Sequence, residues 1–294
     1  MFLKSKKKFW LAGGTAPYYA GSSGGDAAAT TAFLARVTAA SLTIDSTHTT
    51  MYRNLINGLV SDGLISGATP KLDALYFFAT NTVTGSNTAL ALMSLVSSTF
   101  NATVSGVPTF TADQGYASTD NASNKALNSN FNPSTAGGHY TQNSAHVSLW
   151  ANNNVTAVSG GVAIGCNTAV GTGTAIFPKY SNGNAYWRIN DVNPASGGIA
   201  MASSIGHYVA NRSSASGTTS SQGYKNAVDQ GVTAVSSGAL TNMAIGICAN
   251  GSGGSFGSSS ACQLSCASIG GSLTPTQVTA LYNRLATART AVGL

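Results

Sequence analysis

Beyond Lys71 the sequence is a series of short apolar or alternating runs separated by Asn, Gly and Ser. No long helical pattern lies between these runs, so they do not form βαβ units and do not predict a parallel sheet. We therefore expect an antiparallel β-sandwich. The candidate strands are residues 72–79, 109–111, 146–151, 162–166, 185–190, 207–211, 223–226, 242–249 and 262–269.

The clearest local signal in this region is a hairpin. Ser181-Asn182-Gly183-Asn184 separates the run 177–180 from the run 186–189. An Asn-Gly pair supplies the positive φ angles that a tight turn requires. The two flanking runs are therefore predicted to be neighbouring antiparallel strands.

Helical spacing occurs only near the two ends of the chain. Apolar residues recur at this spacing from Phe33 to Val37 and again from Met51 to Leu59, which predicts two short helices. Near the C-terminus, Thr274, Pro275 and Gln277 form a capping-box sequence ahead of an apolar stripe. This pattern predicts a C-terminal helix that packs on the sandwich. The stripe consists of Val278, Leu281, Leu285, Ala288 and Val292.

Composition divides the chain into three predicted segments. Residues 1–25 form an extended leader, residues 26–70 a helical segment, and residues 71–294 the sandwich with its C-terminal helix. Charged residues make up only 7% of the chain and hydrophobic residues 43%. A coiled coil needs alternating charges and a disordered tail needs high net charge, so both classes are excluded.

The leader carries much of the positive charge. The formal net charge of the chain is +6, and four of the positive charges are lysines of the leader. The remainder of the chain is therefore only slightly basic, and no nucleic-acid partner is expected. Gly13 ends the apolar run too early for a membrane span. Charge followed by aromatic anchors predicts attachment to an acidic protein partner. The attachment residues are Lys4, Lys6, Lys7, Lys8, Phe9, Trp10, Tyr18 and Tyr19.

Five stretches of sequence together resemble one protein family. They are residues 71–76 (KLDALY), 108–116 (PTFTADQGY), 131–134 (FNPS), 142–150 (QNSAHVSLW) and 267–274 (ASIGGSLT). These stretches are similar to the concanavalin A-like jelly-roll domains of tailed-bacteriophage and prophage virion proteins. The resemblance runs from about residue 47 to residue 294.

The resemblance implies a mainly β, two-sheet jelly roll displayed on the tail, neck or head of a phage particle, with no catalytic residues and no cofactor. It implies a structural fibre, collar or decoration protein, assembled in the host cytoplasm and attached to other virion proteins through an N-terminal extension. A weakly charged surface and the symmetry usual in fibres further predict a homotrimer. The predicted contact is the helical segment 46–61, with Met51, Leu55 and Leu59 on one stripe. A receptor-binding tail-fibre lectin and a polysaccharide depolymerase are the alternatives.

A host-surface glycan is the predicted ligand of the central hairpin. Sugar sites commonly pair aromatic platforms with amide and hydroxyl groups, and both surround this turn. The opposing explanation is that Trp187 and Ile189 alternate with Tyr186 and Arg188 between core and surface. The predicted contacts are Tyr180, Tyr186, Trp187, Arg188 and Asn190.

Catalytic and metal sites have little support in the sequence. All eight acidic residues are aspartates, so a glycosidase would need a pair such as Asp113 with Asp120, or Asp73 with Asp191. Aspartates in Asn- and Gly-rich loops usually accept backbone hydrogen bonds instead. The histidines are scattered and the cysteines lack paired C-x-x-C spacing, so no metal site is predicted.

The four cysteines leave two alternatives open. If the runs 242–249 and 262–269 are paired antiparallel strands, Cys248 lies almost opposite Cys262, and a disulfide can form after late exposure to an oxidising medium. Otherwise all four are buried free thiols.

Overall fold

The computed structural model describes residues 25–81, 87–119, 125–155, 161–168, 172–192, 198–218, 220–231 and 235–294. The helices are α1 (Ala28–Ala39), α2 (Ser46–Ser61), α3 (Asn87–Leu92) and α4 (Pro275–Ala291), with a 3-10 turn at Ser98–Phe100. The strands are β1 (Leu72–Phe77), β2 (Thr103–Gly106), β3 (Thr109–Thr111), β4 (Gly115–Ala117), β5 (Lys125–Asn128), β6 (Ala145–Ala151), β7 (Ile164–Asn167), β8 (Gly173–Phe177), β9 (Asn184–Asp191), β10 (Ile199–Ala200), β11 (Gly206–Arg212), β12 (Ser221–Lys225), β13 (Val228–Asp229), β14 (Gly246–Ile247), β15 (Asn250–Ser252), β16 (Ser255–Gly257) and β17 (Leu264–Gly270).

These strands form two sheets that face each other, which confirms the predicted mainly β sandwich. The first sheet has the order β13-β12-β11-β6-β17-β4-β3, with β1 also paired to β17. The second has the order β10-β9-β8-β7-β14-β5-β2, with the β15–β16 hairpin attached to β7. Strand pairing is antiparallel apart from the parallel contact of β15 with β7.

Side chains that alternate along the strands fill the space between the sheets. Val147 and Leu149 of β6 point into this space, and Trp187 and Ile189 of β9 meet them from the second sheet. Successive residues of a strand point to opposite faces, so the intervening residues leave this core. For the first sheet, the outward residues enter a second core.

The second core lies between the first sheet and the helices. Val278, Leu281 and Leu285 of α4 are fully or almost fully buried in it, with Leu75 and Phe77 of β1 beneath them. The central strands β1, β6, β11 and β17 are therefore buried on both faces. Helix, sheet and sheet form three layers, and the helical segment shares a core with the sandwich.

The C-terminal helix begins as its sequence predicts. The Thr274 hydroxyl accepts from the Gln277 backbone N–H at 3.3 Å, and the Gln277 side chain accepts from the Thr274 N–H at 3.0 Å. Pro275 occupies the first turn. The capping box is therefore present, and it places the apolar stripe of α4 against the first sheet.

The apolar stripe on α2 has a different role from the one predicted. Met51, Leu55 and Leu59 are at most 2% exposed because they lie in the core beneath the helices of their own chain. The expectation that this stripe contacts other copies is wrong. The stripe of a surface helix looks the same in sequence whether a sheet or a partner covers it.

The leader residues Lys4 to Tyr19, and with them the predicted attachment element, lie outside the described residues. In the part that the structure describes, no helix is both long enough and apolar enough to cross a bilayer.

Candidate functional site

The candidate site lies at the turn between β8 and β9. The backbone N–H of Tyr180 donates to the Asn184 carbonyl at 2.7 Å, and the Gly183 N–H donates to the Tyr180 carbonyl at 2.8 Å. Gly183 has a φ of 83°, the positive value that the Asn-Gly sequence predicts. The predicted hairpin is confirmed.

Three aromatic rings cluster beside this turn. The ring centroids of Phe177, Tyr180 and Tyr186 lie between 5.7 and 6.2 Å apart, and every pair is close to perpendicular. All three side chains are partly exposed. Edge-to-face packing of this kind holds aromatic rings in fixed orientations. We call these three residues the aromatic cluster.

A side-chain amide fixes the polar edge of the aromatic cluster. The exposed Asn182 donates from Nδ2 to the Tyr186 hydroxyl at 2.7 Å, while its Oδ1 accepts from the Asn184 backbone N–H at 3.1 Å. The site thus combines ring faces with an amide and hydroxyls, the groups that contact the C–H faces and hydroxyls of a sugar.

Trp187, which was also predicted to contact the glycan, points the other way. Its side chain is 6% exposed and lies in the core between the sheets, 5.9 Å from the Tyr208 ring. Ile189 points inward with it, while Tyr186 lies on the outer face of β9. Alternation along the strand therefore accounts for Trp187.

Arg188 and Asn190 are buried as well. Burial lowers the pKa of Arg188, against the opposing effects of Asp191 and Cys166. Asn190 accepts from the Tyr140 hydroxyl at 2.7 Å and donates to the carbonyls of residues 141 and 142. The structure thus brings together Tyr180 and Tyr186 from the predicted site and places the other three residues inside the protein.

The prediction of the site missed Phe177 and Asn182. Phe177 is the direct cross-strand partner of Tyr186. Residues paired across strands lie close enough for their side chains to interact. Once the hairpin is predicted, counting residues outward from the turn along both strands pairs Phe177 with Tyr186. The sequence therefore contained the information needed to find Phe177.

The disulfide prediction is wrong because its two strands are not neighbours. Cys248 follows β14 in the second sheet, whereas Cys262 precedes β17 in the first, and β17 pairs with β1, β4 and β6. A φ of 64° at Cys248 ends the strand there. None of the four cysteines forms a disulfide, and all four are buried. Burial raises the pKa of Cys166 and of Cys266 to about 12, so neither is a thiolate nucleophile at neutral pH.

The aspartates considered as catalytic groups hold the fold together. Asp73 accepts the backbone N–H groups of His139 and Tyr140 at 2.8 and 2.9 Å. Asp191 accepts from the fully buried Arg212 at 2.5 Å, and burial still raises the pKa of Asp191 to about 6. Asp120 lies outside the described residues.

Asp113 belongs to a cluster that joins the helices to the sheet. The His48 ring contacts Asp45 through Nδ1 at 2.9 Å and Asp113 through Nε2 at 2.8 Å. Asp45 also caps α2 by accepting from the His48 backbone N–H. Within the described ranges no group of three or more His, Cys and Asp side chains is arranged to hold a metal ion.

Comparison with known proteins supports the fold alone. The sequence matches no known protein family and no curated protein. Its structure is similar to domain 4 of AbnA, a GH43 extracellular arabinanase from Geobacillus stearothermophilus solved with arabinotriose, at 17% identity and a TM-score of 0.46, over 72% of this chain and 98% of that domain. It is also similar to a Trypanosoma rangeli sialidase mutant displaying trans-sialidase activity, at 11% identity and a TM-score of 0.50. That match covers 84% of this chain and 39% of the sialidase, and at such identities the shared feature is a β-sandwich.

Proposed function

We propose that this chain is a non-enzymatic structural protein of a tailed-phage virion that contacts host-surface glycans through the aromatic cluster. In this proposal the leader, residues 1–25, attaches the chain to other virion proteins, and the sandwich faces solvent as part of a homotrimeric fibre, collar or decoration. A receptor-binding fibre with narrow sugar specificity is the closest alternative.

The observation that carries the glycan proposal is the partial exposure of three mutually perpendicular rings beside an amide. Most large apolar side chains of this fold are buried in its two main cores, whereas Phe177, Tyr180 and Tyr186 retain contact with solvent. Exposed aromatic groups that are rigidly held lose little conformational freedom on binding, which favours them as contact residues.

The virion assignment draws on the sequence resemblance and on the leader. Four lysines followed by aromatic residues precede the part of the chain that the structure describes. Opposite charge accelerates encounter with an acidic partner, and aromatic side chains then anchor the contact. Particles assembled with a chain that lacks residues 1–25 should carry far less of the protein when they are imaged, and normal amounts would exclude attachment through the leader.

The non-enzymatic part of the proposal draws on how the aspartates are used. Each aspartate in the described ranges has a side-chain or backbone partner; for example, Asp62 binds Arg284 and Asp229 binds Gln222. General acid–base catalysis requires a carboxyl group free to face a substrate. A reducing-end assay on host polysaccharide tests this point, and release of new ends would favour the depolymerase alternative.

A glycan array tests the binding function directly. Wild-type protein should bind a subset of bacterial surface glycans, and Tyr186→Ala should weaken that binding by about tenfold or more because it removes a contact ring. Phe110→Ala is the matched control, since it removes a partly buried ring from β3 at the opposite edge of the sandwich. Equal binding by wild type and Tyr186→Ala would contradict the proposal.

A further inference from the structure

Two lysines meet at the loop that adjoins the β8–β9 hairpin, which carries the aromatic cluster. Lys179 donates from Nζ to the Ala202 carbonyl at 3.1 Å, and Lys225 donates from Nζ to the Ser203 carbonyl at 2.6 Å. Because these carbonyls belong to consecutive residues, the two ammonium groups lie close together. We call Lys179 and Lys225 the lysine pair.

The lysine pair and the aromatic cluster occupy the same end of the sandwich. Lys179 directly precedes Tyr180 in the chain. The segment that supplies the two carbonyls is tied to the hairpin, because the Met201 backbone N–H donates to the Gly183 carbonyl at 2.9 Å. Immediately before it, Ala200 of β10 pairs with Asn184 of β9. The loop whose carbonyls bind both ammonium groups is thus held against the hairpin that carries the rings.

The lysine pair has no carboxylate beside it within the described ranges. The ion pairs formed there use other cations, namely His48, Arg53, His139, Arg212 and Arg284. Burial, and then the charge of Lys179, lower the pKa of Lys225. Two like charges held together without a counter-ion repel each other, and a bound anion relieves that repulsion.

The Lys179 ammonium also keeps donors available. Each ammonium has three N–H groups, and Lys179 uses one of them on a backbone carbonyl. Lys225 bonds Ser203 and lies 3.7 Å from the Met201 sulfur, a weak acceptor, with its Nζ 5.3 Å from the centre of the Tyr208 ring. Holding a loop in place does not require both of these charges.

We propose that the glycan bound here is anionic, and that the lysine pair binds its carboxylate or phosphate group while the aromatic cluster contacts the sugar ring. This inference rests on the proposed glycan-binding function. Uronic acids, other acidic sugars and phosphorylated sugars share the required chemistry. Each carries a negatively charged group close to a sugar ring that can stack on the aromatic cluster.

The experiment uses full-length protein in which Lys4, Lys6, Lys7 and Lys8 are replaced by Gln, so that the leader cannot bind polyanions. The probes are arrayed carboxylated and phosphorylated oligosaccharides, each paired with its neutral form, a methyl ester or a dephosphorylated sugar. In this background, Lys179→Gln and Lys225→Gln keep a donor for the backbone carbonyls and remove the charge. Lys125→Gln on β5 is the matched control, because its ammonium bonds the Thr119 hydroxyl, away from the β8–β9 hairpin.

We expect tighter binding of the anionic forms than of their neutral partners, and a loss of about three- to fivefold in anion binding for each substitution in the lysine pair. Binding of the neutral forms should not change. Equal binding of anionic and neutral forms, or an anion preference that survives both substitutions, would overturn this inference and leave the proposed function standing. Absence of any glycan binding would overturn both.

Discussion

The outer faces of the two sheets are covered in different ways. Helices α1, α2 and α4 cover the first sheet and bury a large apolar core that includes Leu281 and Leu285. Among the described residues, the outer face of the second sheet carries a small apolar cluster of Ala126, Ala249 and Phe256, and elsewhere it leaves Tyr186 partly exposed.

This difference separates the face that contributes most to stability from the face where we propose that a glycan binds. The helix-covered face removes apolar area from water and even buries polar groups, such as His146, which contacts the Gly271 carbonyl at 2.6 Å and the Ser268 hydroxyl at 3.1 Å. The hairpin end of the second sheet leaves aromatic rings partly exposed at the surface. Full burial of these rings would make the fold more stable. Rings retained at such a surface are available for contact with a ligand.

Substitutions on the two faces should differ most in their effect on folding. Leu285→Ala removes a fully buried side chain and should lower the free energy of unfolding by about 3 kcal/mol. Tyr186→Ala removes a partly exposed ring and should cost about 1 kcal/mol. Urea unfolding followed by circular dichroism measures both values. Equal losses would show that the hairpin end contributes to stability as much as the helices do.

Acid should destabilise the helix-covered face through its buried histidines. Burial lowers the pKa of His146 to about 4 and of His207 to about 3, from an ordinary value of 6.5. Below pH 6.5 the histidines of the unfolded chain therefore bind protons that those of the folded chain do not. Their contribution lowers the stability of the fold as the pH decreases below about 6.5. Asp191 acts in the opposite direction, because its raised pKa of about 6 makes the folded chain bind a proton before the unfolded one does.

A single substitution isolates the contribution of His207. Neither ring nitrogen of His207 has a hydrogen-bond partner among the described residues, and the ring lies 5.4 Å from Trp150. His207→Phe should therefore fold, and its stability relative to wild type should rise by about 1 kcal/mol for each unit by which the pH falls from 6 to 4. Thermal unfolding across this range gives the slope. Parallel pH profiles for the two proteins would show that His207 is not held neutral in the fold.

Local patterns in the sequence were enough to predict the sandwich, the hairpin and the C-terminal helix. The Asn-Gly turn at Gly183 and the capping box at Thr274 depend on hydrogen bonds within a few residues of chain. Alternation likewise indicated that Trp187 and Tyr186 face opposite ways. The interactions that decide each of these features act over a short distance along the sequence.

Other predictions failed where residues far apart in sequence decide the outcome. The disulfide alternative required the runs 242–249 and 262–269 to be paired strands joined by the loop 250–261. Instead, residues 250–257 form the β15–β16 hairpin, and the two runs belong to different sheets. Cys248 and Cys262 are therefore not cross-strand partners. A run of alternating residues carries no information about which strand lies beside it.

The sequence by itself determined the local elements of this protein, their caps and turns, and which face of each strand is apolar. Only the tertiary structure decided that α4 rather than a partner chain covers the stripe of α2, and that Lys225 of β12 comes to lie beside Lys179 near the hairpin. The physical reason is that turns and caps are satisfied by neighbouring backbone groups, whereas the pairing of sheets, helices and surface charges depends on how the whole chain minimises exposed apolar area.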